Sequence, residues 1–140
     1  MVKLTSNVIW SGEGVRSVAH TGGHEVIIDE PTASGGTGFG PNPVQLLLSS
    51  LGGCMAVLIR SLAPHHHVTL KYLKINVEGD LDPRGYREED PSIRPGLQEI
   101  RYHVNIEADG EKEDIEALLA HAARVCPVKD TLKGVTVNRV

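Results

Sequence analysis

The sequence predicts an α+β fold in the order βββ-α-ββ-α-α-β, and three observations carry that expectation. Short β-branched stretches punctuated by glycine fill residues 1–30. A long apolar run, Val44–Ile59, follows a helix-start signal. Two alternating runs, residues 69–82 and 97–109, then precede a second stretch with helical spacing. At 140 residues the chain suits one domain, 1–140, large enough to bury a core.

Val2–Trp10 and Val15–His20 alternate in part with period two, and His24–Glu30 is a short β-branched run. Glycines 12, 14, 22 and 23 mark the turns. Residues 31–43, PTASGGTGFGPNP, show no hydrophobic period and have the length of a functional loop. Asn42 supplies an N-cap and Pro43 the first helical position, and the helix runs to about Leu62, where Pro64 stops it. Apolar side chains lie nearly all round it, which predicts a long buried central helix. Gly52 and Gly53 in its middle cost roughly 1 kcal/mol each relative to alanine. Close approach of another backbone beside Cys54 is therefore expected.

Residues 69–82 alternate with one irregularity near Tyr72-Leu73, and Leu97–Asp109 alternates more cleanly. Together they predict a hairpin with one buried face, joined by a polar turn over residues 87–96. From about Glu111, Ile115, Leu118, Leu119, Ala122 and Val125 recur at helical spacing behind an acidic start. Cys126-Pro127 ends that helix and opens a short one closed by Gly134, and residues 135–140 make the last strand.

Composition excludes several classes. The net charge is −4 with no basic patch, and one Trp, three Tyr and one Phe make no stacking platform, so no nucleic-acid partner is expected. The N-terminus lacks the apolar core of a signal peptide, and Val44–Ile59, interrupted by Gln45, two serines and two glycines, falls short of the roughly 20 apolar residues of a bilayer span. A soluble, cytoplasmic protein with no membrane partner is expected. In that compartment two cysteines are more often reduced or catalytic than a permanent staple.

Cys54 and Cys126 are the only cysteines. Cys126 stands before a short helix whose orphan amides favour a thiolate, with Lys129 nearby. Cys54 lies inside an apolar helix, where desolvation disfavours the anion and a small core residue is the plain reading. The pair is thus either two unrelated core residues or a dithiol that cycles. His65-His66-His67 reads as a solvated loop, because consecutive side chains do not converge on one ion, and no Cys-x-x-Cys spacing exists, so no metal is expected. The glycine loop lacks the Lys-Ser/Thr ending of a phosphate loop. Phe39 could line an apolar pocket and Arg16 could reach one. Arg60 faces away from Cys54 on the helix, Gln45 suits helix-start chemistry or a dimer contact, and His20 and His24 read as surface residues.

GPNPVQLLLSSLGGCM followed by CPVKDTLKG resembles the OsmC/Ohr family of thiol-dependent organic hydroperoxide reductases, in its OsmC-like branch, across essentially the whole chain. The resemblance implies that Cys54 attacks a hydroperoxide, that its sulfenic acid is resolved by Cys126 as a disulfide, and that an external dithiol, a lipoyl group or a small thiol, restores both. No bound cofactor is implied. It also implies an intertwined homodimer that would place a partner backbone near Gly52-Gly53; Arg16, Phe39, Gln45 and Gly53 are this chain's own candidates for a substrate pocket. The family's arginine in the loop before the helix has no counterpart here, and Val44 stands at its glutamate position. An alternative of the same fold is therefore a redox-sensing or apolar-ligand-binding dimer with little or no turnover.

Overall fold

A computed structural model describes all residues, Met1–Val140. They form two compact units, Met1–Leu47 and Leu48–Val140.

The first unit is built on an antiparallel sheet of β1 (Asn7–Trp10), β2 (Ser17–Thr21) and β3 (His24–Ile28), in that order. The β2–β3 hairpin turns through Gly22 and Gly23, both with positive φ (57° and 79°), the mirror-image turn that matches strand twist and that glycine adopts without strain. β1 is shorter than its alternation suggests, because only Asn7–Trp10 finds partners on β2. Ala19 is buried, whereas Val8, Ile9 and Trp10 all face outward.

Helix α1 (Pro43–Leu62) carries the chain into the second unit. Its start is a reciprocal capping box: the Gln45 N–H donates to Asn42 Oδ1 (2.8 Å) and the Asn42 N–H to Gln45 Oε1 (3.0 Å). Leu51, Met55 and Ile59, one turn apart, are fully buried. The opposite face is open in the single chain, with Val57 66% exposed. The helix expected to be buried all round is therefore half-buried. Counted through the following 3₁₀ turn, Pro43–His66 is long and apolar enough to cross a membrane by length and composition, with mean hydropathy 1.8 over its most apolar window. The expectation that this segment falls short is corrected: glycine, serine and a lone glutamine lower the mean too little to offset the leucines, valine and isoleucine around them.

The predicted hairpin is present. β4 (Thr69–Leu81) and β5 (Leu97–Asp109) pair antiparallel, and β6 (Thr136–Arg139) joins β5 in parallel. The register slips between Leu70 and Tyr72, next to the irregularity seen in the alternation. Between the long strands lies a short helix, α2 (Pro83–Tyr86), ahead of the polar turn and too brief to show a hydrophobic period. Asp82 caps it, accepting the Arg84 N–H at 3.0 Å. α3 (Lys112–Val125) buries Leu118, Leu119 and Ala122, and α4 (Pro127–Thr131) follows directly on Cys126.

Gly52 has a reason in this packing. A Cβ there would lie 3.2 Å from Val77 Cγ2, so α1 sits close on β4. The neighbour is a side chain and not the backbone expected. At Gly53, nothing in this chain lies within 4 Å of where a Cβ would stand.

Met55→Ala should cost about 2–5 kcal/mol in urea unfolding, because it opens a fully buried site on α1. Asn42→Ala, which removes one half of the capping box, should cost about 1 kcal/mol.

Candidate active site

In the second unit, α1 and the α3–α4 junction bring the two cysteines together. Their sulfurs are 3.0 Å apart, and both thiols are free. A disulfide needs about 2.05 Å, so a shift of roughly 1 Å would close one. The two sulfurs are thus within reach of a disulfide.

The two thiols stand in different surroundings. Cys126 is 1% exposed; it donates its S–H to Cys54 and accepts the Lys129 N–H at 3.4 Å as the N-cap of α4. Cys54 is half-buried. Burial, then the hydrogen bond to Cys54, push the Cys126 thiol up, and the backbone N–H groups of Lys129 and Val128 pull it down by less. The helix-terminus effect expected to make Cys126 a ready thiolate is thus overridden. α4 has only five residues, and two amides do not offset nearly complete desolvation. The Lys129 contribution is its amide and not its ammonium. Tyr102 of β5 adds no positive charge; burial raises its phenol, Arg139 lowers it in part, and the neighbourhood of Cys126 raises it by less.

The first unit holds the other candidates. Arg16 lies with its guanidinium 4.9 Å from the centre of the Phe39 ring. It donates to Glu13 Oε2 at 2.9 Å and to Thr37 Oγ1 at 3.2 Å. Arg16 and Phe39, predicted separately, thus form one surface. Glu13 and Thr37 were missed, since nothing in their local pattern ties them to an arginine. Gln45 is engaged in the capping box, and Gly53 lies on the exposed side of α1. Arg60 lines a separate cleft with Ala63, Pro64 and His67, and His20 stands exposed 3.6 Å from Glu25.

Asp29 was missed as well. It ends the apolar run of β3 and is 1% exposed, and it accepts from the Thr37 hydroxyl (2.5 Å) and from the N–H groups of Glu30, Thr37 and Phe39. These bonds fold the glycine-rich loop around one carboxylate. Gly36 fits there because a Cβ would meet the Glu30 carbonyl oxygen at 1.9 Å. Thr37 then hands the order on to Arg16. No group of three or more His, Cys, Asp or Glu side chains is arranged to hold a metal ion.

Comparison with known proteins identifies the family. The OsmC family model, described as OsmC-like protein, matches residues 34–139. The chain belongs to the OsmC-like family. Its structure is similar to that of an OsmC-like protein from Mycoplasma pneumoniae (TM-score 0.83, 22% identity, 99% of this chain and 96% of that one). It is also similar to an organic hydroperoxide resistance protein OsmC from Legionella pneumophila (TM-score 0.70, 22% identity, 99% and 97%). A third is the organic hydroperoxide resistance protein OhrB of Bacillus subtilis (TM-score 0.63, 20% identity, 99% and 96%). At these identities the likeness is one of fold. No curated protein matches the chain.

Asp29 gives an acid dependence with a definite sign. Burial raises its carboxyl, but hydrogen bonds from Thr37, Glu30 and Phe39 hold it well below the usual carboxylate range. Its stabilisation is present above the unfolded value of about 4 and is lost as pH falls below it. Asp29→Asn should lower the melting temperature at pH 7 and flatten its fall below about pH 4. Melting curves across that range check this.

Proposed function

We propose that the protein is a thiol-dependent peroxidase that reduces organic hydroperoxides, or hydrogen peroxide, through Cys54 and Cys126. The observation that carries this reading is the pair of free thiols 3.0 Å apart in a chain of the OsmC-like family. In the cycle, the Cys54 thiolate attacks the terminal oxygen of R–O–O–H. The O–O bond breaks, an S–O bond forms, and the alkoxide leaves and takes a proton as alcohol. Cys126 then attacks the Cys54 sulfur; the S–S bond forms, and hydroxide leaves with the Cys126 proton as water. An external dithiol, a lipoyl group or a small thiol, reduces the disulfide by exchange.

The roles follow from accessibility. Cys54 is the more open thiol and takes the substrate, while Cys126, buried and pushed up, keeps its proton for the second step. Arg16, Phe39, Gln45 and Gly53 are the substrate-contacting residues we propose. Support for the first two is their shared surface: a fixed guanidinium stacked on an aromatic ring suits an organic peroxide with one polar end. A homodimer is part of the proposal. The exposed Val57 on α1 and Val8, Ile9 and Trp10 on β1 are apolar surfaces that a second copy would cover. A reducing compartment such as the cytoplasm would keep both thiols free.

A second reading, a redox sensor or apolar-ligand-binding dimer without efficient turnover, is favoured by Val44 at the family's glutamate position. Cumene hydroperoxide separates the two. With dithiothreitol as reductant, the peroxidase reading expects many turnovers and Cys54→Ser to abolish them; without reductant, Cys126→Ser should consume one peroxide per chain to give Cys54 sulfenic acid, and a second where that passes on to sulfinic acid. A single turnover in the wild type with reductant in excess supports the sensor instead. If Cys54→Ser keeps its turnover, both readings are lost. Arg16→Ala should slow peroxide reduction by about 10-fold or more while leaving disulfide reduction by the dithiol unchanged.

A further inference from the structure

His66 ends the 3₁₀ turn Ala63–His66 that follows α1, and His121 lies on α3, a turn and a half before Cys126. His66 Nε2 and His121 Nδ1 are 2.9 Å apart, and the rings meet edge to face at 67° with centroids 5.1 Å apart. The centroid separation exceeds the nitrogen separation by about two ring radii, so the nitrogens point at each other along one line. That is the geometry of an N–H donated to a lone pair. It leaves no room for an ion between them, and no third ligand stands by. The expectation that His65–His67 forms a merely solvated loop is corrected: the middle imidazole is half-buried and paired.

Such a pair holds with one proton between the facing nitrogens. A second proton sets N–H against N–H and opens it. The surroundings favour the neutral pair. Burial, then Arg124, His66 and His65, lower the pKa of His121. These are the charges that face it: Arg124 from its own helix, His65 and His66 from the turn. β4, which also packs on the turn, brings Lys71, already tied to Asp109 at 3.2 Å.

The chain gives this bond a consequence. The turn that bears His66 continues the helix of Cys54, and the helix that bears His121 runs straight into Cys126. We propose that the His66–His121 hydrogen bond is a proton-sensitive tie between the two cysteine-bearing segments, which sets the spacing of the thiols and is released on acidification. His66 and His121 are positioning residues in this role, which rests on the dithiol reading above.

The test drives disulfide closure with diamide, which takes up the two thiol hydrogens and needs no peroxidase activity. Rates are read by intact mass from about pH 8 to 5, spanning the imidazole range. Thiolate loss slows every variant alike, so the ratio to wild type is the readout. His121→Ala should close about threefold to tenfold more slowly than wild type at pH 7.5, the factor a net neutral hydrogen bond commands. The two profiles should converge by about pH 5, where the wild-type tie is open. His121→Asn, whose amide can pair with His66 without titrating, should match wild type at pH 7.5 and stay faster at pH 5. It carries the test if the alanine variant does not fold. Parallel profiles for all three proteins would overturn the tie. If peroxide turnover is absent but the diamide profiles converge, the tie stands and the peroxidase reading alone fails.

Discussion

How deeply α1 seats on β4 is the constraint from which the thiol pair follows. Gly52 lets Val77 come within 3.2 Å of where a Cβ would stand, and Gly79 of β4 in turn accommodates Leu48 and Leu97. Small residues on each element receive large ones from the other, so helix and strand interlock instead of resting on a cushion of side chains. Leu51, Met55 and Ile59 then bury completely on the same side. Cys54 is two residues beyond Gly52, so its position is fixed by that seating. A thicker residue at 52 would lift the helix and move the sulfur by a distance comparable to the gap it must close with Cys126.

The partner thiol is fixed by different means. Cys126 belongs to no helix; it caps α4 and follows the last residue of α3. Pro127 forbids continuation of α3, because its ring clashes with the preceding turn. The chain must therefore bend at Cys126, and the bend turns the sulfur inward. A rigid helix holds one thiol and a capped corner holds the other.

Much of this was legible in the sequence. The Asn42-Pro43 start, the two alternating strands and the Cys126-Pro127 break are local signals, and each appears where its pattern indicates. The irregularity near Tyr72 marked the register slip within two residues. What the sequence hid is of another kind. Asp29 with Thr37, Arg16 with Thr37, and His66 with His121 are polar pairs whose partners lie in different elements or loops. No periodicity reports a hydrogen bond that only tertiary packing creates. The openness of α1 was hidden for a related reason. An apolar helix reads as buried, but how much of it one chain covers depends on how many elements pack around it, and here they cover one side.

The chemistry of Cys126 runs against its local sequence, and the difference bears on the cycle as a whole. A helix N-terminus favours a thiolate only when water or donors replace what burial removes, and at Cys126 burial and the bond to Cys54 prevail. For the proposed chemistry this is the better arrangement. Were Cys126 the easier thiol to ionise, it would compete for peroxide from a site that a bulky organic substrate cannot enter. Held protonated against Cys54, it stays out of the first step. In the proposed cycle, oxidation of Cys54 to sulfenic acid would turn the sulfur it donates to into an electrophile and supply a hydroxide leaving group in need of a proton. The Cys126 proton has that destination, and its loss leaves the nucleophile that closes the disulfide. Burial, which looked like an obstacle to reactivity, would thus order the two steps of the proposed cycle.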